Sequence, residues 1–329
     1  MCFCAESTAV MQDRAMDIGN LSSLLETART GTLRGAAARL RVDETTVSRR
    51  IARLEKELGV RLFDRGARSW SLTESGRALL PHAEAIDSEA ARARESLSSS
   101  SGELSGTARV LTMDGFGAYL LIPGLAPLLR AHPRLELEIL TGSSRGLVTA
   151  RDFDLAVTLE RPGPRSAIVS RLAYYDLKFY ASHEYLRRHG CPQELRELRE
   201  HHDLVWYIDS VLDVEPLRIL ETLVPRARAR VQTNNIAGHH AAARAGLGIV
   251  PLPTYIGGED PELTEVLGQS LHARRCYWLV VPHESARLWR VRETAEAITA
   301  LVREHPRLQL ADGCSTLGAR RDRIEGDGD

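Results

Sequence analysis

Residues 31–65 read GTLRGAAARLRVDETTVSRRIARLEKELGVRLFDR, and this stretch decides the fold of the front of the chain. Thr32 and Asp43 are well placed to cap two helices, because their side-chain oxygens accept hydrogen bonds from the first free backbone amides. In the second of these helices, apolar residues recur at intervals of three and four, which predicts one buried face. They are Val47, Ile51, Leu54 and Leu58.

The sequence on either side completes a small helical unit with a hairpin. Upstream, an apolar period of three and four starts at Ile18 and predicts a first helix that ends near Thr30. Downstream, Gly59 ends the third helix, and two short extended segments flank a turn at Gly66. This pattern predicts a two-stranded wing, in which we expect Trp70 to pack rather than to stack on a base.

The opposite face of the third helix carries hydroxyl and guanidinium groups. Such groups suit the phosphates and base edges of nucleic acids. The alternative is an ordinary solvated face with ion pairs inside the helix. The polar residues of this face are Thr45, Thr46, Ser48, Arg49, Arg50 and Arg53.

Residues 31–65 strongly resemble the signature of the LysR-type transcription regulators, and the chain keeps the order of that family to about Leu310. The resemblance implies a winged helix-turn-helix whose second motif helix, starting at Glu44, enters the major groove. Arg49 is then the most selective reader of the bases, because its planar guanidinium can pair with guanine. Glu44 differs from the family, which commonly has a glutamine at this position. The DNA-binding residues implied are Glu44, Thr45, Ser48 and Arg49 at the bases, Thr46 and Arg53 nearer the backbone, and Arg65 and Arg68 in the wing.

Charge, cysteine content and hydropathy exclude several other classes of protein. The 329-residue chain has a formal net charge of −1, but residues 17–80 hold 12 Lys and Arg against 8 Asp and Glu, so basic charge concentrates at the front. The five cysteines include no CxxC pair and match neither a disulfide framework nor a zinc site. Neither a membrane-spanning run nor a secretory signal is evident, so we expect a cytoplasmic protein.

Residues 74–98 predict a long dimerising helix. Its apolar residues alternate at four and three, which is the heptad seam of a coiled coil. Two such helices can pair, although the same face also suits a lone helix that packs on its own domain. A serine-rich hinge follows at 99–106. The seam residues are Leu79, Ala83, Ile86, Ala90, Ala93 and Leu97.

From Ala108 onward, strands and helices alternate, which predicts parallel sheets covered by helices. In the LysR family this region resembles a type 2 periplasmic binding protein, with two α/β lobes and an effector cleft between them, so the whole chain is expected to be mixed α/β. The expected division is a disordered extension at 1–15, a winged helix-turn-helix at 16–73, the linker helix at 74–98, a hinge at 99–106, lobe I at about 107–179 and 281–310, lobe II at about 180–280, and a disordered tail at 311–329.

A small organic effector is expected in the cleft, because open α/β sheets bind ligands beyond the carboxyl ends of their strands and helix N-termini offer amides to anions. Ser143 and Ser144 match a hydroxyl position that relatives often use for effector carboxylates. Phe116 makes the pocket more apolar and favours an aromatic or larger effector. For each residue the alternative is loop capping or packing. The candidates are Asp114, Phe116, Thr141, Ser143, Ser144, Trp206, Asn234 and Asn235.

Two other functions compete with this hypothesis. An enzyme is disfavoured because the sequence contains no nucleophile elbow, HExxH motif or glycine-rich phosphate loop. We therefore predict no catalytic residue, cofactor or metal, and expect surface or capping roles for the pairs His201-His202 and His239-His240. A cytoplasmic small-molecule-binding protein without sequence-specific DNA binding is the second alternative. The resemblance implies as partners a double-stranded DNA operator, a small organic effector, further copies in a homodimer or homotetramer, and RNA polymerase, with no membrane.

Overall fold

The computed structural model divides the chain into two compact units, with the boundary between Ala93 and Arg94. The predictions for Arg68, Ser143, Ser144, the side chain of Leu97 and the segments 1–15, 99–103 and 312–329 lie outside the described residues. The structure describes residues 16–66, 69–98, 104–142, 153–161, 167–208, 210, 214, 217, 223–227, 229–268 and 270–311.

Helices and one hairpin build the first unit. Its elements are α1 (Ile18–Thr30), α2 (Leu33–Leu40), α3 (Glu44–Leu58), β1 (Phe63–Arg65), β2 (Trp70–Leu72) and α4 (Glu74–Ser98). The predicted cap of α2 is present, because Thr32 Oγ1 accepts from the amide of Gly35 at 3.0 Å. Gly31 ends α1 in the left-handed region at φ 66°, where a side chain would be strained.

The apolar face of α3 lies in the core of the first unit, as its spacing predicts. The fully buried residues of this face are Val47, Ile51 and Leu54. Leu58 is 37% exposed instead, because the helix ends there. Trp70 packs against Phe63 with 5.6 Å between ring centroids, which confirms its predicted packing role.

The predicted linker helix is present as α4, but its first turns belong to the core of the first unit. Leu80 and Ala83 are fully buried there, and Leu79 packs against the same core. Further along, Ile86 is 40% exposed. The first part of the predicted seam therefore packs on its own domain, and its exposed part begins at Ile86.

One eight-stranded sheet and one two-stranded sheet form the second unit. The strands are β3 (Ser105–Thr112), β4 (Arg134–Thr141), β5 (Leu155–Thr158), β6 (Ala167–Ser182), β7 (Leu204–Tyr207), β8 (Ala229–Thr233), β9 (Val250–Pro253), β10 (Leu263–Val266), β11 (His272–Pro282) and β12 (Gln309–Leu310). In the large sheet the main order is β10-β6-β11-β5-β3-β4. The predicted parallel pairs are present in both lobes, since β3 is parallel to β4 and β5, and β7 is parallel to β8.

Helices follow the strands in both lobes, as the alternating pattern predicts. They are α5 (Asp114–Phe116), a π turn at Gly117–Leu121, α6 (Ile122–Gly124), α7 (Ala126–Ala131), α8 (His183–His189), α9 (Leu195–His201), α10 (Ile236–Arg244), α11 (Thr254–Gly257), a 3-10 turn at Ser285–Arg287 and α12 (Trp289–Glu304). In the described part of the chain, no helix combines the length and the apolar character needed to span a bilayer.

Two long antiparallel strands, β6 and β11, join the lobes. Residues 177–180 of β6 already pair with β9 in lobe II, and residues 278–280 of β11 pair with β5 in lobe I. The lobe boundaries therefore precede Leu177 and Trp278, earlier than the predicted positions near 180 and 281. Each strand runs through its crossing without a turn or break, so the sequence carries no loop signal there.

The ends of the second unit also differ from prediction. Strand β3 begins inside the predicted hinge, and Gly106 pairs with Leu135 of β4. Ala311, the first residue of the predicted tail, is buried, and its amide donates to the carbonyl of Leu172 at 3.2 Å. Backbone hydrogen bonds to the sheet order both positions.

Candidate functional site

The N-terminus of α3 is organised by Asp43. Its Oδ1 accepts from the amide of Thr46 at 2.7 Å, and its Oδ2 accepts from the hydroxyl of Thr46 at 2.8 Å. The hydroxyl of Thr45 donates to the same carboxylate. These hydrogen bonds, that from the Thr45 side chain first, hold the pKa of Asp43 well below its usual value. The two threonine hydroxyls therefore use their protons in the cap and offer mainly lone pairs outward.

The exposed side chains beyond this cap lie on the first two turns of α3. Glu44 and Arg49 are exposed, and Ser48 is half-buried between them. Among the described residues, none forms a hydrogen bond or ion pair with the guanidinium of Arg49. Arg53, one turn further on, donates from Nε to Glu57 at 3.0 Å. The structure thus brings the predicted residues of α3 to one end of one helix, with the fork of Arg49 free of described partners.

The described wing arginine, Arg65, is tied to the domain. Its guanidinium contacts Glu55 Oε2 at 2.7 Å and lies 4.9 Å from the ring centroid of Trp70. The other oxygen of Glu55 accepts from the amides of Leu62 and Phe63 at 2.8 and 3.3 Å. Glu55 therefore joins α3 to the start of the wing, and Arg65 completes that contact.

In the second unit, three predicted cleft residues meet at the start of α10. Asp114, at the end of β3 in lobe I, accepts from the amide of Ile236 in lobe II at 2.5 Å. The side chain of Asn235 caps α10, because its Oδ1 accepts from the backbone amide of Gly238 at 2.6 Å. Its Nδ2 donates to Oδ1 of Asn234 at 3.2 Å. Burial raises the pKa of Asp114. The carboxylate of Asp114 thus links the two lobes.

Two predicted aromatic residues of the cleft are packed away from solvent. Phe116 is fully buried and packs edge-on against Tyr277 at 4.8 Å. Trp206 is fully buried and stacks on Phe179 at 5.8 Å. The packing alternative therefore holds for both in this structure, because the sheet covers the rings that were expected to face an effector. Thr141 is exposed at the carboxyl end of β4, where it was expected.

A polar chain between the lobes was not predicted. The hydroxyl of Tyr119 in lobe I lies 2.9 Å from Nδ1 of His240 in lobe II, and Nε2 of His240 lies 2.6 Å from Oδ2 of Asp260. Arg244 contacts the same Asp260 oxygen at 3.3 Å. Tyr119 and His240 are 121 residues apart in sequence, so no local motif marks this contact.

The expected surface or capping role of the paired histidines is wrong for His239 and His240. His239 is fully buried and its ring lies 4.3 Å from that of Tyr207. Among the described residues, neither ring nitrogen of His239 has a partner at normal hydrogen-bond geometry, and burial lowers its pKa to about 4. His240 serves the inter-lobe chain instead, whereas His201 is exposed as expected.

Comparison with known proteins shows the relationship of both units. Residues 18–77 match the family described as "Bacterial regulatory helix-turn-helix protein, lysR family", and residues 101–303 match the "LysR substrate binding domain". The chain belongs to the LysR family. The helix-turn-helix unit and the two-lobed unit described above are therefore the DNA-binding and effector-binding domains of a LysR-type transcriptional regulator.

Relatives and solved structures agree with this membership. The chain is 28% identical over 263 residues to the Mau operon transcriptional activator of Paracoccus denitrificans, covering 78% of this chain and 86% of that protein. It is 27% identical over 237 residues to an HTH-type transcriptional regulator of Haemophilus influenzae, covering 70% and 82%. A full-length OxyR variant of Pseudomonas aeruginosa shares the fold, with a TM-score of 0.67 at 17% identity and coverage of 91% and 99%.

This membership bears on the functions that the sequence left open. The relatives of this LysR-type regulator are transcriptional regulators, which are not enzymes. The matched helix-turn-helix domain also separates the chain from small-molecule-binding proteins that lack a DNA-binding unit. LysR-type regulators bind DNA and small-molecule effectors and form oligomers.

Proposed function

We propose that this LysR-type regulator reads the bases of a double-stranded operator mainly through Arg49. The observation that supports the proposal is the exposed guanidinium of Arg49 on the N-terminal half of α3, where no described side chain competes for its donors. A recognition helix presents such a fork to the major groove, where guanine offers two acceptors. Glu44 and Ser48 flank it as secondary readers, with Glu44 able to accept from cytosine.

The other predicted residues take supporting contacts. Thr45 and Thr46 contribute hydroxyl lone pairs, because their protons serve the cap at Asp43. Arg53 and the wing arginines Arg65 and Arg68 approach phosphates, which positions the domain without selecting sequence. Arg53 and Arg65 must share their charge with Glu57 and Glu55, so their contribution to DNA binding is smaller than that of an unpaired arginine.

The form that binds DNA is an oligomer in which two chains pair through α4. We infer that a partner helix packs on α4 from Ile86 onward, where the seam leaves its own domain. A homodimer or homotetramer then spans two half-sites, whose spacing follows the separation of the recognition helices. From the bound site the regulator acts on RNA polymerase, and because its target is chromosomal DNA it works in the cytoplasm.

A small organic effector binds between the lobes and shifts the DNA-bound arrangement. The meeting of Asp114, Asn234 and Asn235 at the start of α10 supports this location, with Thr141 at the carboxyl end of β4 and Ser143 and Ser144 immediately after it in sequence. The effector changes the regulator only by its difference in affinity for two states, typically about 1 to 3 kcal/mol.

The DNA affinity of the Arg49→Ala variant tests whether Arg49 contacts the bases of the operator. An operator obtained by in vitro selection and a random duplex are titrated with wild type, Arg49→Ala and the control Lys56→Ala, which removes an exposed charge near the other end of α3. We expect Arg49→Ala to lose about 1 to 3 kcal/mol on the operator and much less on the random duplex, while Lys56→Ala weakens both equally. Equal losses on both duplexes for Arg49→Ala would refute the role.

A further inference from the structure

A cavity on the outer side of β6 brings together side chains of both charges. It has a volume of about 340 Å³. It lies beside the point where β6 passes from lobe I into lobe II, with β11 paired along one edge of β6 and β12 along the other. We call it the outer cavity, and the residues that line it include Tyr174, Asp176, Lys178, Thr254, Arg274 and Arg307.

The outer cavity is separate from the cleft between the lobes. Side chains alternate from one face of a strand to the other, so Asp176 and Lys178 of β6 point away from Leu177 and Phe179. The first two are half-buried and line the cavity, whereas the other two are fully buried in the core. No residue of α10, where the predicted effector residues meet, lines the outer cavity. A ligand held there would therefore occupy a second site.

Asp176 supplies a carboxylate that is open to a ligand. It forms no hydrogen bond or ion pair with any residue that the structure describes. Arg274 lies directly opposite Asp176 on β11. However, the guanidinium of Arg274 lies 5.0 Å from the ring centroid of Tyr174 and donates to the side chain of Gln309. The negative charge of Asp176 is thus free to pair with a cation that enters the cavity.

Thr254 adds a hydroxyl without a partner. This residue follows β9 in lobe II, lines the cavity and is only 8% exposed. Within the described ranges its side chain forms no hydrogen bond. Buried polar groups normally have a partner, so a hydroxyl of this kind on a cavity wall is a position for a ligand or a water molecule. Its oxygen can accept from an ammonium group.

Three cations line the same cavity and have N–H groups left for an anion. Lys178 contacts Glu265 at 2.8 Å, and Arg307 donates to the carbonyl of Gly258 at 2.6 Å. An ammonium has three donors and a guanidinium has five, so these contacts and those of Arg274 do not use all of the donors. Guanidinium groups bind a carboxylate well, because two parallel hydrogen bonds match its planar shape.

We propose that the outer cavity binds a free α-amino acid with an apolar side chain. The ammonium group pairs with Asp176, the carboxylate pairs with Arg274 and Arg307, and the side chain contacts Tyr174 and Leu308 on the cavity wall. A simple anion would meet Asp176 as a like charge, and a simple cation would meet three positive side chains. A ligand that carries both charges pairs favourably with both sets of groups.

Calorimetric titration of the full-length protein tests the inference with three probes that share a phenyl group. They are L-phenylalanine, 3-phenylpropanoate, which lacks the ammonium, and 2-phenylethylamine, which lacks the carboxylate. We expect L-phenylalanine to bind wild type at least about tenfold more tightly than either of the others, because only it forms both charged contacts. L-Leucine and L-methionine extend the test to aliphatic side chains.

Two variants locate the binding site. Asp176→Asn should lower the affinity for L-phenylalanine to about that for 3-phenylpropanoate, because the amide keeps the size of the side chain but carries no charge. Thr254→Val keeps the shape of the wall, removes the hydroxyl and should weaken L-phenylalanine binding. The matched control is Glu262→Gln, which removes one negative charge from an exposed position of lobe II outside the cavity and should leave all affinities unchanged.

The inference is overturned if none of the three amino acids binds at millimolar concentration. Equal affinities for L-phenylalanine and 3-phenylpropanoate would show a site for anions and would overturn the amino acid. Unchanged binding by Asp176→Asn would place the ligand elsewhere, the cleft between the lobes included, and would also refute the site. Loss of binding in Glu262→Gln equal to that in Asp176→Asn would reduce the effect to overall charge.

Discussion

His239 is neutral in the folded protein because its imidazole is buried and both ring nitrogens lack well-formed hydrogen bonds among the described residues. Its pKa falls to about 4 from 6.5, so the unfolded chain binds the proton first as pH decreases. Stability that is complete above pH 6.5 is therefore lost as pH falls toward about 4, by roughly 2 to 3 kcal/mol at pH 4.5.

We expect His239→Phe to reduce this loss between pH 7 and pH 4.5, measured by urea unfolding followed by tryptophan fluorescence. The control His183→Phe changes an exposed histidine of the same lobe and should keep the wild-type pH dependence. The same pH dependence in His239→Phe and wild type would show that the acid sensitivity originates elsewhere.

Glu55 and Arg65 form an ion pair, but replacing each with alanine should destabilise the fold to a different extent. Glu55→Ala removes the acceptor of two amides at the wing, one of them on buried Leu62, and should cost about 1 to 3 kcal/mol. Arg65→Ala breaks a pair whose arginine side chain is 49% exposed, and should cost less than about 1 kcal/mol. Thermal unfolding of both variants checks the ranking, which is wrong if Arg65→Ala is the more destabilising.

At the scale of elements, α4 has two successive roles along its length. Its first turns complete the core of the first unit through Leu80 and Ala83, and the exposed seam begins at Ile86. We expect Ile86→Asp to give monomers with an intact DNA-binding domain, because a charge in a heptad seam opposes pairing. Leu79→Asp should instead lower the thermal stability of the first unit, since this side chain packs against its core.

Light scattering at micromolar concentration measures the assembly state of each variant. The matched control is Ala85→Asp, which places the same charge on an exposed neighbour outside the seam and should stay oligomeric. If Ile86→Asp forms dimers to the same extent as wild type, the dimer contact does not lie in this part of α4.

The elements of the first unit follow their sequence signals closely for a local reason. Helix caps act over two or three residues, as from Thr32 to Gly35, and apolar periods act over one or two turns. The lobe crossings were predicted too late because β6 and β11 stay paired from one lobe into the other, with a register shift between Tyr277 and Trp278. Their other neighbours change from one lobe to the other within an unbroken strand, where no turn marks the change.

At the scale of the whole effector domain, Tyr119 joins the lobes through His240 and Asp260. Tyr119→Phe removes the hydroxyl and keeps the ring, so we expect the lobes to part more often and the amides at the start of α10 to exchange faster with deuterium. Tyr174→Phe is the control, at a tyrosine that lines a different cavity together with Asp176 and Arg274. Unchanged exchange at Ile236 in Tyr119→Phe would mean that this hydrogen bond does not hold the lobes together.

The sequence by itself determined the helix-turn-helix, its wing, the long α4 and the alternating α/β pattern, because each depends on residues a few positions apart. It also indicated the family, and with it the DNA-binding residues of α3 as expectations. Only the tertiary structure decided that Phe116 and Trp206 are buried and that the first turns of α4 pack on their own domain. Tertiary structure also decided the contact between the lobes, since Asp114 and Ile236 are 122 residues apart and meet through packing that no local pattern encodes.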